Sequence, residues 1–321
     1  MRRWSTRLPA AICAASLLLA ASGCTNAEGA DEASQGGIAV VTPAPVETIP
    51  EILSTRNLAL PIEAYMLSDK QSDLILRARQ TLIQRCMQGF GFVYSAPVIP
   101  APRPTSLTER RYGIADSAIA AEWGYHSPDL APAKRRQESA NISTQTPAEL
   151  LVLTGWPGGK VLPGATPPAV DDVAGKKVPN GGCHGEAIRQ ITDDDDENYG
   201  DNPLVQAINR SAQSDSDKRV RDAIGKWSEC MKKAGYNYPG PLEAVDAFSG
   251  PTPSGAERQT AMADVKCKSE TNLIGIWFTV ESAYQSAAIQ QNLEALVSAK
   301  TRLESMLRKA ASVAGGTVPA S

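Results

Sequence analysis

Cys86-Met87-Gln88-Gly89-Phe90-Gly91-Phe92-Val93-Tyr94-Ser95-Ala96-Pro97 and Cys230-Met231-Lys232-Lys233-Ala234-Gly235-Tyr236-Asn237-Tyr238-Pro239-Gly240-Pro241 are one pattern written twice. Cys, Met, Gly, an aromatic residue, Tyr and Pro recur at the same relative positions, which marks an internal repeat. Each copy closes a run of apolar residues at helical spacing. Ile75, Ala78, Leu82, Ile83, Cys86 and Phe90 make the first run, and Val220, Ala223, Ile224, Trp227, Cys230, Met231 and Ala234 the second. The physical reading is a helix that stops at a glycine, an aromatic pair that packs back on it, and a stiff proline-rich exit.

Working back to the N-terminus, Arg2, Arg3 and Arg7 precede a short apolar run, Leu8 to Ala20, which ends in Ala21-Ser22-Gly23-Cys24. A basic start, an apolar stretch and small residues before a cut make an export signal, and the run is shorter than the roughly 20 residues a bilayer span needs. The close of the run resembles the bacterial lipoprotein pattern, although Ala21 stands where that pattern usually has Leu. The resemblance implies that the Cys24 sulfur carries acyl chains of the palmitate type and that residues 1–23 are removed. It places the protein on the outer face of the cell membrane, held by lipid.

The chain has 6 cysteines. With Cys13 lost in the signal and Cys24 acylated, Cys86, Cys183, Cys230 and Cys267 remain in an oxidising compartment, where three pairings are open. The repeat chooses among them. Glu186 follows Cys183 as Glu270 follows Cys267, each near a helix start, so the expected pairs are Cys86 with Cys183 and Cys230 with Cys267. Closing those loops is worth about 4 to 5 kcal/mol each in the chain-entropy account. No metal or other cofactor is expected. The four cysteines are far apart in sequence, and the chain holds 2 histidines, His126 and His184.

Between these landmarks the chain divides into a flexible linker, 24–58, a first helical repeat region, 59–213, a second, 214–312, and a disordered tail, 313–321. Ser68 caps the first helix, and Thr146-Pro147 with Glu149, and Ser254, start others. From Thr271 to about Ala311 nothing interrupts the helical pattern, which predicts one helix of about 40 residues and about 60 Å. It carries two apolar stripes. Leu273, Trp277, Val280, Tyr284 and Ala287 form one, and Ile289, Leu293, Leu296, Leu303 and Leu307 the other, so the helix needs two partners. Either both partners lie within this chain, or Leu293, Leu296, Leu303 and Leu307 are partner-binding residues for an envelope protein or a second copy. The fold class is mainly α: an irregular helical body with long Pro/Gly-rich connections, two disulfides and a long C-terminal helix.

Candidate chemistry is sparse. Asp193 to Glu197 could ligate calcium, but the spacing of an EF-hand is missing, and a solvated acidic loop explains the run. Cys183 beside His184 suggests a thiol nucleophile, yet the repeat assigns that sulfur to a disulfide. Glu122, Glu186, Asp222 and Glu270 could supply paired carboxylates for glycan hydrolysis. Trp227 and Trp277 sit at core spacing, whereas Trp123 and Trp156 stand near glycines. A net charge of −3 gives no basis for nucleic-acid binding.

The lipoprotein-like start, the tandem Cys-Met helix ends and Gly181-Gly182-Cys183 together are similar to secreted or lipid-anchored proteins of high-GC Gram-positive bacteria, over about Leu60 to Leu307. That resemblance implies location and fold rather than a reaction. The expected function is a non-catalytic binding or accessory role at the cell envelope, in transport or wall maintenance. A cell-wall polymer hydrolase is the alternative.

Overall fold

The computed structural model describes residues 38–56, 58–95, 108–128, 145–159, 172–192 and 202–319. The signal, Cys24, Pro97 and the acidic run Asp193–Glu197 lie outside the described residues. Those residues hold ten α-helices: α1 (Asp69–Gly89), α2 (Ser117–Trp123), α3 (Pro147–Thr154), α4 (Gly182–Thr192), α5 (Pro203–Asn209), α6 (Lys218–Lys233), α7 (Pro241–Asp246), α8 (Gly255–Thr271), α9 (Leu273–Gln291) and α10 (Leu293–Ala314). No strand occurs among them, only an isolated antiparallel bridge between Val173 and Lys176. None of these helices is long and apolar enough to cross a membrane.

Local chemistry starts the helices where the sequence places caps. Ser68, Thr146 and Ser254 each accept a hydrogen bond from the third residue of the helix they open, and Gln71, Glu149 and Glu257 reach back to complete capping boxes. Asp116, Asn202 and Asp217 cap α2, α5 and α6.

The two repeated helix ends have the same geometry. Gly91 and Gly235 adopt φ of +84° and +92°, values that favour glycine. The Phe92 amide then donates to the Met87 carbonyl at 3.0 Å, and the Tyr236 amide to the Met231 carbonyl at 2.9 Å. That is the six-to-one bond of a Schellman motif, made twice. Both methionines are buried, and each cysteine ahead of them is half-buried. Cys86 is bonded to Cys183 and Cys230 to Cys267, each pair with 5.6 Å between Cα atoms. Cys183 and Cys267 are buried, so each disulfide joins a half-buried sulfur on one helix to a buried sulfur on another.

Around each disulfide lies an apolar core. Leu74, Ile75, Leu82 and Met87 of α1 pack with Val152 of α3, Ile191 of α4, and Met306 and Leu307 of α10. Val220, Trp227 and Met231 of α6 pack with Ala261 of α8, Leu273 and Val280 of α9, Ala120 of α2, and Tyr112 and Tyr125. A third cluster, with Val41, Ile62, Val205, Ile208, Ala288, Ile289 and Leu296, joins the two along the α9–α10 line. The boundary drawn at residue 213 therefore does not separate the cores. Helix α2, from the first region, packs on α8, and α10, from the second, packs on α1 and α4.

Three expectations change in the structure. A long C-terminal helix is present, α10 of 22 residues, but the unbroken span expected from Thr271 is divided, because Asn292 leaves helical geometry (φ −119°, ψ 22°) and its amide side chain donates back to the Ala288 carbonyl. The Leu stripe of α10 faces inward: Leu296 is 0% exposed and Leu307 is buried, with Leu303 packed beside it, leaving Leu293 at 45%. It closes the first and third cores, so Leu296 and Leu307 are not available to a partner; they find their cover in α1, α4 and α5 of the same chain. Finally, the described part of the 24–58 segment lies on the body. Val41 is buried, its amide donates to Gln213 at 2.9 Å, and the Ile52 amide donates to the Asn272 side chain at 3.2 Å. At the other end α10 runs on to Ala314, and the Pro319 carbonyl accepts from Gln71 at 3.4 Å.

Candidate functional site

Thr108-Glu109-Arg110-Arg111-Tyr112-Gly113 is the turn on which the site is built. The Thr108 hydroxyl donates to the Leu58 carbonyl at 2.8 Å, and the Thr55 hydroxyl to the Glu109 carbonyl at 2.9 Å. On one side Arg111 donates to Glu281 at 2.7 Å and also reaches the Asn209 carbonyl, while the Tyr112 hydroxyl donates to the other Glu281 oxygen at 2.8 Å. Burial first, and the Glu281 charge second, hold the Tyr112 phenol well above its ordinary value, so it stays a donor. On the other side the Arg110 guanidinium donates to the carbonyls of Tyr125 and His126 at 3.1 and 3.0 Å. The turn thus ties the α2–loop unit to the body through charge-assisted bonds, which are the strong ones.

Behind the turn stands one face of α8. Glu257, Asp264 and Lys268 recur at helical spacing and all three are buried. Lys268, 1% exposed, donates to Asp264 at 3.0 Å and to the Ile114 carbonyl at 3.0 Å, and the Trp227 indole donates to the second Asp264 oxygen at 2.8 Å. Desolvation pushes the Asp264 carboxyl up and the Lys268 ammonium down, and the mutual attraction of the pair opposes both shifts. One Glu257 oxygen accepts from the Tyr125 amide at 2.8 Å and faces His126 Nδ1 at 2.7 Å; the other accepts from the Ser254 amide at 3.3 Å. His126 Nε2 lies 2.8 Å from the Gly250 carbonyl. Both ring nitrogens therefore meet acceptors, an arrangement that an imidazolium satisfies with two donated bonds. The Gly250 bond, with Glu257 after it, raises the His126 pKa above its ordinary value.

In front of this polar layer is a pocket of about 380 Å³. Ile114, Tyr125, His126 and Arg110 form one wall, and Leu242, Val245 and Phe248 of α7 and its exit form the other. The Tyr125 and Phe248 rings stack, with centroids 5.8 Å apart and planes 27° from parallel. The Tyr125 hydroxyl is buried and faces the Asp264 carboxyl, and burial together with the Asp264 charge keeps it protonated. Apolar walls, a few fixed polar groups and a volume of this order are the usual make-up of a small-molecule pocket.

The residues singled out from sequence lie elsewhere. Glu122, Glu186, Asp222 and Glu270 stand on four different helices, α2, α4, α6 and α8, and none lines the pocket. Asp222 pairs with Lys218 at 2.5 Å, Glu186 with Arg189 at 3.6 Å and Glu270 with Lys266 at 3.7 Å. Cys183 has its sulfur in a disulfide and offers no thiolate. Glu270 approaches the Cys230–Cys267 pair, but bonded sulfurs are poor ligands for a metal. Trp227 and Trp277 are core residues, and Trp123 and Trp156 are half-buried. What the sequence reading missed is the charged face of α8 together with Arg110, Tyr125 and His126. The signal for it was the spacing of Glu257, Asp264 and Lys268 with Ala261 in the same helix.

Comparison with protein-family models, with curated proteins and with solved structures finds no match to this chain.

Proposed function

We propose that the protein is a lipoprotein held by Cys24 on the outer face of the cytoplasmic membrane, and that it acts by binding a small, largely apolar molecule. The single observation that carries the binding half is the pocket between Tyr125 and Phe248. It has apolar walls, and Arg110 and His126 at its edge are held by fixed hydrogen-bond partners, which is how a binding site is held in shape. The anchor half rests on the run that ends at Cys24. An accessory role in envelope transport or wall maintenance is the class of function this fits. Hydrolysis has weaker support, because it needs two carboxyls across a scissile bond, and the carboxylates near the pocket are buried in ion pairs.

Leu242 is 46% exposed at the pocket, so a larger side chain can fill the mouth without entering the core. The full-length Cys24→Ala protein, collected from the medium, is titrated with N-phenyl-1-naphthylamine, a neutral apolar fluorophore. Saturable binding that Leu242→Trp weakens at least about tenfold, with an unchanged thermal midpoint, supports the reading. No saturable binding, or identical binding in the variant, refutes it. Cys24→Ala that stays in the membrane fraction refutes the anchor.

A further inference from the structure

We propose that His126 is a pH-operated latch on this pocket: its imidazolium ties the exposed Gly250 loop to α8, and loss of one ring proton frees that loop and loosens the wall that carries Phe248. The latch itself stands on geometry, and only its effect on ligand entry rests on reading the pocket as a binding site.

The ring bridges the Gly250 loop and the start of α8. Its Nδ1 faces Glu257 at 2.7 Å and its Nε2 the Gly250 carbonyl at 2.8 Å. Gly250 belongs to the connection from Phe248 to Ser254, in which Ser249, Gly250, Pro251 and Thr252 are all exposed. Phe248 itself is fastened by its amide to the Val245 carbonyl at 3.1 Å and by its stack on Tyr125. At the far end Arg258 reaches the Pro253 carbonyl at 3.3 Å. Between those two fastenings His126 holds the Gly250 carbonyl.

A neutral imidazole has one N–H and one lone pair. Facing two acceptors, it keeps one bond and presents its lone pair to the other oxygen. The remaining N–H stays on Nδ1 and donates to Glu257, because Glu257 is a carboxylate whose position is set by the Tyr125 and Ser254 amides. Gly250 is the partner that is released. The charged groups that face the ring are Glu257 from α8, which favours the imidazolium, and Arg110 from the turn, which opposes it; the α7–α8 connection contributes the Gly250 carbonyl. With the folded pKa raised, the bond is fully present below the ordinary histidine value of about 6.5 and is lost as pH rises through the folded value. The wall that carries Phe248 is therefore held in this position in mildly acidic surroundings and loosens as pH rises through the raised His126 value.

The chain's two histidines are held in opposite directions, which makes the experiment clean. Burial, helped by Arg79, pulls His184 down to about 4, so it stays neutral where His126 titrates. Ring ¹⁵N NMR of the full-length Cys24→Ala protein is recorded from pH 5 to 9, with amide exchange in peptides covering 121–128 and 244–256 corrected for intrinsic rates. The expected result is one histidine doubly protonated at pH 6 and titrating above 6.5, with protection in both peptides falling about two- to tenfold through that titration, the range set by one lost hydrogen bond. His126→Gln removes the pH dependence. Protection that does not change with the ring titration, or a His126 ring that is singly protonated at pH 6, overturns the latch. Entry of N-phenyl-1-naphthylamine, followed by stopped flow, should speed up over the same range. If the probe never binds while protection still follows the ring, the pocket reading fails and the latch stands. If the probe binds at a pH-independent rate with flat protection, the latch fails and the pocket reading stands.

Discussion

Gly113→Ala tests whether the turn and the buried ion pair are one unit. Gly113 has φ of +78°, and a Cβ there would stand 2.6 Å from the Lys268 ammonium nitrogen. The backbone term for an L-residue in that region is about 1 to 2 kcal/mol. Contact alone would matter little against the end of a flexible lysine in solvent, but this end is buried and holds Asp264 and the Ile114 carbonyl at 3.0 Å each. The turn cannot retreat, because Tyr112 is fixed to Glu281 on its other side. Displacing the ammonium from one charge-assisted bond adds about 1.5 to 3 kcal/mol. The sum is about 2.5 to 5 kcal/mol, which at about 2 to 4 °C per kcal/mol lowers the thermal midpoint by roughly 5 to 20 °C. Circular dichroism at pH 7 without reductant measures it. Gly225→Ala is the control: that glycine lies within α6 with nothing near the added methyl group, and the change should stabilise by about 0.5 to 1 kcal/mol. A Gly113→Ala midpoint within about 2 °C of wild type would show that the turn and Lys268 are independent.

The inward stripe of α10 makes a sharp contrast between neighbours. Leu296→Glu buries a charge and should unfold the chain or lower its stability by several kcal/mol, whereas Leu293→Glu should stay within about 0.5 kcal/mol; equal effects in urea titrations would contradict the packing. His184, held down to about 4, lets the unfolded chain take a proton first as pH falls below about 6.5. Stability should therefore drop by about 3 kcal/mol between pH 6.5 and 4 in wild type relative to His184→Gln, and parallel stability–pH curves for the two would refute the assignment. Oxidative refolding of Trp227→Ile should yield a fraction linked Cys86 to Cys267, absent in wild type; disulfide mapping that finds only the native pairs in the variant would show that Trp227 does not select which helix α8 receives.

The repeat was legible because its parts are local. A Schellman end needs a glycine at one position, a buried residue three before the cap and an aromatic just after, and both copies meet those needs within a dozen residues. The capped starts at Ser68, Thr146 and Ser254 were readable for the same reason. The break at Asn292 was not. Asparagine continues a helical pattern in sequence, and only its side chain turning back on the Ala288 carbonyl ends α9. Nor could the direction of the Leu296 stripe be read, since an apolar face specifies burial and not the partner; α1 and α4 lie more than a hundred residues earlier. The candidate site was hidden because it inverts the usual rule. Glu257, Asp264 and Lys268 look like the solvated face of α8, and become the buried face only once Trp227, His126 and Ile114 arrive to satisfy them.

That inversion answers a problem that the repeat creates. Two helices, α1 and α6, end in the same Cys-Met-Gly-aromatic pattern, and two others, α4 and α8, offer the cysteines. Apolar packing is non-directional, so by itself it distinguishes weakly between α8 receiving α6 and α8 receiving α1. Three residues before the cysteine, α6 carries Trp227 and α1 carries Ile83, both buried. Asp264 accepts the indole N–H of Trp227 at 2.8 Å. An isoleucine in that place has no donor, and would leave a buried carboxylate oxygen unsatisfied, a penalty of about 1 to 3 kcal/mol or more for a charged group. The wrong pairing is thus disfavoured at the residue that faces the ion pair, not at the cysteines. A buried Asp–Lys pair adds little to stability over an apolar contact, but it gives α8 a requirement that only one of the two repeated helices can meet.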